Sequence, residues 1–294
     1  MIIIAARVAA VRIGGTVFVL GASMEMTRRN AANHREMDLE AVADKATAAA
    51  VAGFGVAGIT FFPRGIADQQ SVRALSLHHA ARRFIKAGHL PSRAFVCAGD
   101  VAIVRGVEAA LAASIGQVYP DCSVFSKTAI VTPFSILFRF VSTPMELFKN
   151  QCVTTDRSVR EIFKGMVNDY RHKGIESVFK GAIFNSLTGF GFFPWWSTYL
   201  AMNTLFPNDG SRTLPEHLAV GVVPSVMTDI FMNPLRVLKV QAMTDRGLPL
   251  AAVWTFIKDH GPRCLLWGLG PRLFPGAFQS VLFALSMESL SKNK

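Results

Sequence analysis

The sequence predicts an all-α membrane protein: six transmembrane helices in three pseudo-repeats, each repeat carrying a short amphipathic helix between its two spans. Three observations lead there. Hydrophobic residues make up 51% of the chain and charged residues only 17%, against about 25% charged in ordinary soluble proteins. Charge-free stretches at 46–63, 182–208 and 273–287 approach or exceed the ~20 residues of helix that cross a bilayer. One proline-to-glutamine spacing also recurs three times, at Pro63–Gln70, Pro144–Gln151 and Pro234–Gln241.

Taken in order, residues 1–41 stand apart as an N-terminal extension. MIIIAARVAAVRIGGTVFVLG carries Arg7 and Arg12 and no acid before Glu25, which fits a targeting-like segment or a surface helix. The two arginines argue against a further span.

The first repeat, 42–120, opens on the apolar run 46–63 and ends that run in FFPRGIADQQ. The second, 121–210, reaches the same point in STPMELFKNQ, and the third, 211–294, in MNPLRVLKVQ. A basic connector follows each. In RSVREIFKGMVNDYRHKG, residues Val159, Ile162, Phe163, Met166 and Val167 recur at helical spacing, which marks an amphipathic helix. A second mark comes next. HKGIESVFKG and DHGPRCLLWG each set two glycines seven apart with an aromatic before the second, whereas KAGHLPSRAFVCAG spaces Gly88 and Gly99 eleven apart. The apolar runs 182–208 and 273–287 then supply the second helices of repeats two and three.

The net charge of +11 is unevenly placed. Segments 64–97, 145–180 and 235–267, each following a repeated proline, carry +5, +2 and +3, while the alternate connections 121–127 and 209–216 carry 0 and −1. Basic loops on one face follow the positive-inside rule and argue against nucleic acid as the partner. Cys97, Cys122, Cys152 and Cys264 form no CxxC and have no histidine at metal spacing, so they read as small apolar fillers. No paired carboxylates, Ser/His/Asp set or glycine-rich phosphate loop stands out. Neither an enzyme nor a metal or cofactor is expected.

These repeats resemble the mitochondrial carrier family, whose motif is Pro-x-[Asp/Glu]-x-x-[Lys/Arg]-x-Gln at the end of each odd-numbered helix, followed by a matrix helix and an aromatic-x-Gly. The resemblance covers about 42–291. Repeat two matches in full (Pro144, Glu146, Lys149, Gln151), repeat three keeps Pro234, Lys239 and Gln241, and repeat one keeps Pro63 and Gln70. It implies the mitochondrial carrier fold, with the amphipathic helices on the matrix side and the prolines kinking the odd helices. It also implies a multi-pass location in the inner mitochondrial membrane, a small-molecule solute, and contact with lipid, including cardiolipin at the matrix-side helix ends.

The same resemblance implies a matrix gate in which the acid two after one proline pairs with the base five after the next. Applied here, Glu146 faces Lys239, Lys149 faces Gly65 and lacks a partner, and Arg236 faces Asp68 with both signs reversed. Gln70, Gln151 and Gln241 would brace those pairs, since an amide both donates and accepts. Five residues before Pro144 and Pro234 lie Arg139 and Asp229, single charges in apolar helices, expected either to bridge each other or to touch the solute.

By the resemblance, the even helices bind substrate. They offer Arg105, with Glu108 one turn on, then Asn185, Thr188 and Gly189, and finally Arg272, Pro275, Gly276 and Gln279. So few charges disfavour a highly anionic nucleotide. The opposite gate, aromatic-acid-x-x-base at the even-helix ends, is degenerate: among GQVYPD, TYLAMN and SMESLSK only Glu288 and Lys292 approach it. Two functions follow. One is a solute carrier working by alternating access. The other is a transport-incompetent carrier fold kept as a subunit of a larger mitochondrial membrane complex.

Overall fold

The computed structural model describes residues 38–73, 75–86, 88, 90–120, 122–207, 212–244, 252–278 and 281. Its helices are α1 (Leu39–Arg73), α2 (Leu77–Lys86), α3 (Leu90–Val118), α4 (Val124–Val141), α5 (Thr143–Thr154), α6 (Val159–Lys173), α7 (Ala182–Leu187), α8 (Phe192–Leu205), α9 (Leu214–Met243), α10 (Val253–His260) and α11 (269–278). Single 3₁₀ turns occupy Ile175–Ser177, Thr188–Gly191 and Pro262–Leu266. No strand occurs among the described residues. The expected extension 1–41 lies outside them up to residue 37, as do Gln279, Glu288 and Lys292.

Among the described residues two helices are long and apolar enough to cross a membrane, Leu39–Val72 and Pro215–Met243, and the pair α4–α5, bent by 63°, qualifies as a third if counted as one span. At about 1.5 Å per residue, the 35 residues of α1 run roughly 50 Å, well beyond a ~30 Å hydrocarbon core. The 29-residue α3 carries Arg93, Asp100, Arg105 and Glu108 along its length. The charge-free stretch 182–208 is not one continuous helix: it breaks at Thr188–Gly191 between α7 and α8. Gly189 passes so close to α4 there that a Cβ would lie 2.7 Å from the Cα of Ile136.

The repeated prolines behave differently from one another. Pro63 and Pro234 lie inside α1 and α9, which run on to Arg73 and Met243 rather than ending there. Only Pro144 sits at a break, in the first turn of α5. The carbonyl of Arg139 at that break accepts from the hydroxyls of Ser142 (3.3 Å) and Thr143 (3.1 Å) and from Asn185 Nδ2 (2.6 Å). Those bonds keep an interrupted backbone satisfied away from water.

Three short amphipathic helices follow, α2, α6 and α10. Each has basic residues in its last turn, where the helix dipole favours them, and α6 opens on a Ser158/Glu161 capping box, a device worth ~1 kcal/mol. Next to each C-terminus lies a glycine at positive φ: Gly88 (66°), Gly174 (75°) and Gly261 (72°). A second such glycine follows after α6 and after α10, Gly181 and Gly268. After α2 Gly99 does not take that place: it is interior to α3, which starts at Leu90, so the eleven-residue spacing of Gly88 and Gly99 differs in structure from the two seven-residue spacings.

The helices close into a ring. α1 packs along α3, α3 on α4, α4 on α7 and α8, and α8 on α9. The ring is completed by α9 and α1 meeting the last segment, through Gly276 beside Asp229 and through the Arg272–Asp68 contact. At one end α1, α5 and α9 also touch one another.

Candidate functional site

Inside the ring lies a cavity of about 230 Å³ whose floor is the convergence of α1, α5 and α9. Charged side chains there need partners, because an unpaired charge out of water costs heavily.

On the floor, Glu146 Oε1 accepts from Lys239 Nζ at 2.7 Å and from Lys149 Nζ at 2.6 Å. Lys149 also reaches Asp100 Oδ2 on α3 at 2.6 Å. Asp100, Lys149, Glu146 and Lys239 thus form one neutral chain, and the Glu146–Lys239 link across α5 and α9 is the contact expected from the sequence. Lys149 is not left without a partner as expected, since Asp100 takes that place.

The reason concerns Gly65. A Cβ on Gly65 would fall 2.2 Å from the ring of Phe84, which is fully buried. Phe84 comes from the amphipathic helix α2 and packs with Phe61 and Val153. An acid at position 65 would have to displace that ring, so this position holds an aromatic contact instead of an ion pair.

The Asp68–Arg236 pair expected from the sequence does not form. Asp68 Oδ1 accepts from Arg272 Nη2 at 2.6 Å, and Arg236 bonds Asp229, two turns earlier on its own helix and hence on the same face. The expected Arg139–Asp229 bridge is likewise absent. Arg139 Nη2 donates to Glu108 Oε1 at 3.0 Å, while Glu108 Oε2 accepts from Arg105 Nη1 at 3.2 Å. One carboxylate therefore holds two arginines, and Arg105 also lies 5.8 Å from the ring centre of Trp195.

No glutamine side chain bonds to these ion pairs among the described residues. Gln241 Nε2 instead reaches across to α1, donating to the carbonyls of Ser71 (2.7 Å) and Val72 (3.0 Å). Gln70 donates to the Leu75 carbonyl at 3.1 Å, closing its own helix end. Gln151 serves through its backbone carbonyl, which accepts from Thr155 at 3.1 Å. Thr188 lines the cavity and donates to the Asn185 carbonyl, whereas Asn185 is fully buried in its bond to the α4–α5 break.

Several lining residues escape the repeat pattern: Arg64, Asp100, Trp195 and Trp196. Asp100 carried a readable signal, a lone acid within FVCAGDVAIV. The fully buried Gln69, which donates to the Val153 carbonyl at 2.8 Å and so ties α1 to α5, carried none.

Among the described residues the helices thus ring a charged cavity, and two of them are long and apolar enough to cross a bilayer. Residues 210–293 match the family model described as mitochondrial carrier protein. That match is a likeness to the mitochondrial carrier family over the last 84 of the 294 residues. No curated protein and no solved structure matches the chain.

Proposed function

We propose that the protein is a solute carrier of the inner mitochondrial membrane that moves a small metabolite by alternating access. In this reading the chain crosses the membrane six times in three repeats, 42–120, 121–210 and 211–294, with α2, α6 and α10 on the matrix side. The observation that carries it is the floor. Among the described residues a single ion pair, Glu146–Lys239, links two of the converging helices, aided by the Gln241 hydrogen bonds to α1. Hydrogen bonds from Gln69 to Val153 and from Asn150 to Met243 add to it, so the floor is joined by one ion pair and a few neutral bonds, firm enough to close and light enough to open. The cavity, smaller than the roughly 300–1,000 Å³ of drug-sized pockets, suits a small solute better than a nucleotide.

One observation favours the second reading, a structural subunit: Lys149–Asp100, Arg139–Glu108 and Asp68–Arg272 each tie a helix to its neighbour in the ring and stiffen it. Reconstitution separates the two. Purified protein in liposomes is expected to exchange at least one labelled class of small metabolite, with the rate lost on heat inactivation. Absence of exchange for amino acids, carboxylates, phosphate and nucleotides, together with stoichiometric co-migration with a large complex on native gels, would overturn the carrier reading.

A further inference from the structure

The carrier reading leaves the solute open, and the cavity's charge balance narrows it. Among the described residues seven cationic side chains and five carboxylates line the cavity. The floor chain is neutral, and so are the Asp68–Arg272 and Asp229–Arg236 pairs. Arg64 also lines the cavity. A positive excess is local to the cluster in which Glu108 serves both Arg105 and Arg139.

That cluster has the parts of an anion site. Two guanidinium groups from adjacent helices converge on one point, the geometry that suits a carboxylate. Both arginines keep some exposure to the cavity, 27% and 18% of their side chains, while Glu108 keeps 10%. The Nε of Arg139 is buried without a partner. Beside them stand Trp195 and Trp196, with Trp195 facing Arg105. The site therefore offers a fixed positive end and a flat apolar wall.

Resting on the carrier reading, we propose that the solute is a small monocarboxylate with an apolar body, bound between Arg105 and Arg139 with that body against Trp195 and Trp196. Glu108 is the resident counter-ion: it holds the arginines together in the empty cavity and competes with the solute for them. A doubly or triply charged nucleotide exceeds the local excess, and a cation meets the wrong sign.

The test is thermal stabilisation and tryptophan quenching of the full-length protein in detergent, titrated with phenylpyruvate, succinate, inorganic phosphate, ATP and lysine. Phenylpyruvate is expected to bind saturably and most tightly. R105K and R139K should weaken it at least tenfold, because lysine lacks the guanidinium fork. E108Q, which removes the internal competitor, should tighten it on the order of tenfold. Stronger binding of lysine or ATP than of phenylpyruvate overturns the proposal, as does weaker phenylpyruvate binding in a folded E108Q. Should phosphate compete as well as phenylpyruvate does, the apolar wall has no role and the monocarboxylate assignment falls. These readouts do not need transport. Binding without liposome exchange would sink the carrier reading alone, and exchange of a nucleotide would sink only the solute class.

Discussion

The floor chain makes a prediction that a simple count of salt bridges would miss: the two members of its Glu146–Lys239 link are not equivalent. Glu146 has two lysine partners, while Lys239 has Glu146 as its one carboxylate partner among the described residues. In K239M the methionine replaces the apolar stem and Glu146 keeps Lys149, so the loss is one hydrogen bond between charged groups, about 2 kcal/mol. In E146Q the buried Lys239, 8% exposed, is stranded, and breaking a buried pair from one side costs ~3–5 kcal/mol. At roughly 3 °C per kcal/mol for a chain of this size, K239M should lower Tm by about 6 °C and E146Q by about 12 °C. The E146Q/K239M double variant should return to about the K239M value, since no stranded cation remains and Lys149 still has Asp100. Thermal unfolding in detergent, followed by tryptophan fluorescence, measures all three. Equal losses in the two single variants, or a double variant at the sum of both, would refute the reasoning.

Three other outcomes follow from the geometry. D68R puts an arginine against Arg272 and should cost ~3–5 kcal/mol. D68R/R272D should recover most of that loss in unfolding assays, whereas D68R/R236D should not, and rescue by the latter would restore the cross-ring pairing. G65A should destabilise by about 1–3 kcal/mol through overpacking against Phe84, with F84L in the same chain relieving it; a G65A variant of unchanged Tm would remove the steric argument. In a cysteine-free background, W196C should react with a water-soluble maleimide from the side on which the cavity opens, because Trp196 lines that cavity. F190C, on the outer face with Phe190 47% exposed, should stay protected from both sides. Rapid complete labelling at 190 would place that face in water and not in lipid.

What the sequence revealed followed local periodicity. The proline–glutamine spacing located the converging helix ends, and apolar residues at helical intervals located α6. Glycine placement pointed to the turns after α6 and α10, where only left-handed backbone fits. It misled at Gly99, because a glycine inside a helix looks the same in the sequence as one beside it. Partner choice was the illegible part. Asp100 and Arg272 meet Lys149 and Asp68 from helices far away in sequence, at depths fixed by packing rather than by any repeat mark. A family pattern that pairs odd helices with one another has no place for those two residues. Arg236 also had an acid of its own two turns back, a same-face neighbour that the comparison across repeats overlooked. At position 65 the missing acid looked like a loss, because nothing in the local sequence says that Phe84, nineteen residues on, fills the space.

The contact between Gly65 and Phe84 has an electrical consequence. Moving one elementary charge through 100 mV is worth ~2.3 kcal/mol, so latches built from lysine and glutamate feel the membrane voltage and the surrounding salt. A phenyl ring seated on a glycine feels neither. In the carrier reading, the Gly65–Phe84 contact is therefore a mechanical stop whose strength stays constant while the voltage rises and falls, and the voltage acts instead on charged pairs such as Glu146–Lys239 and Asp68–Arg272.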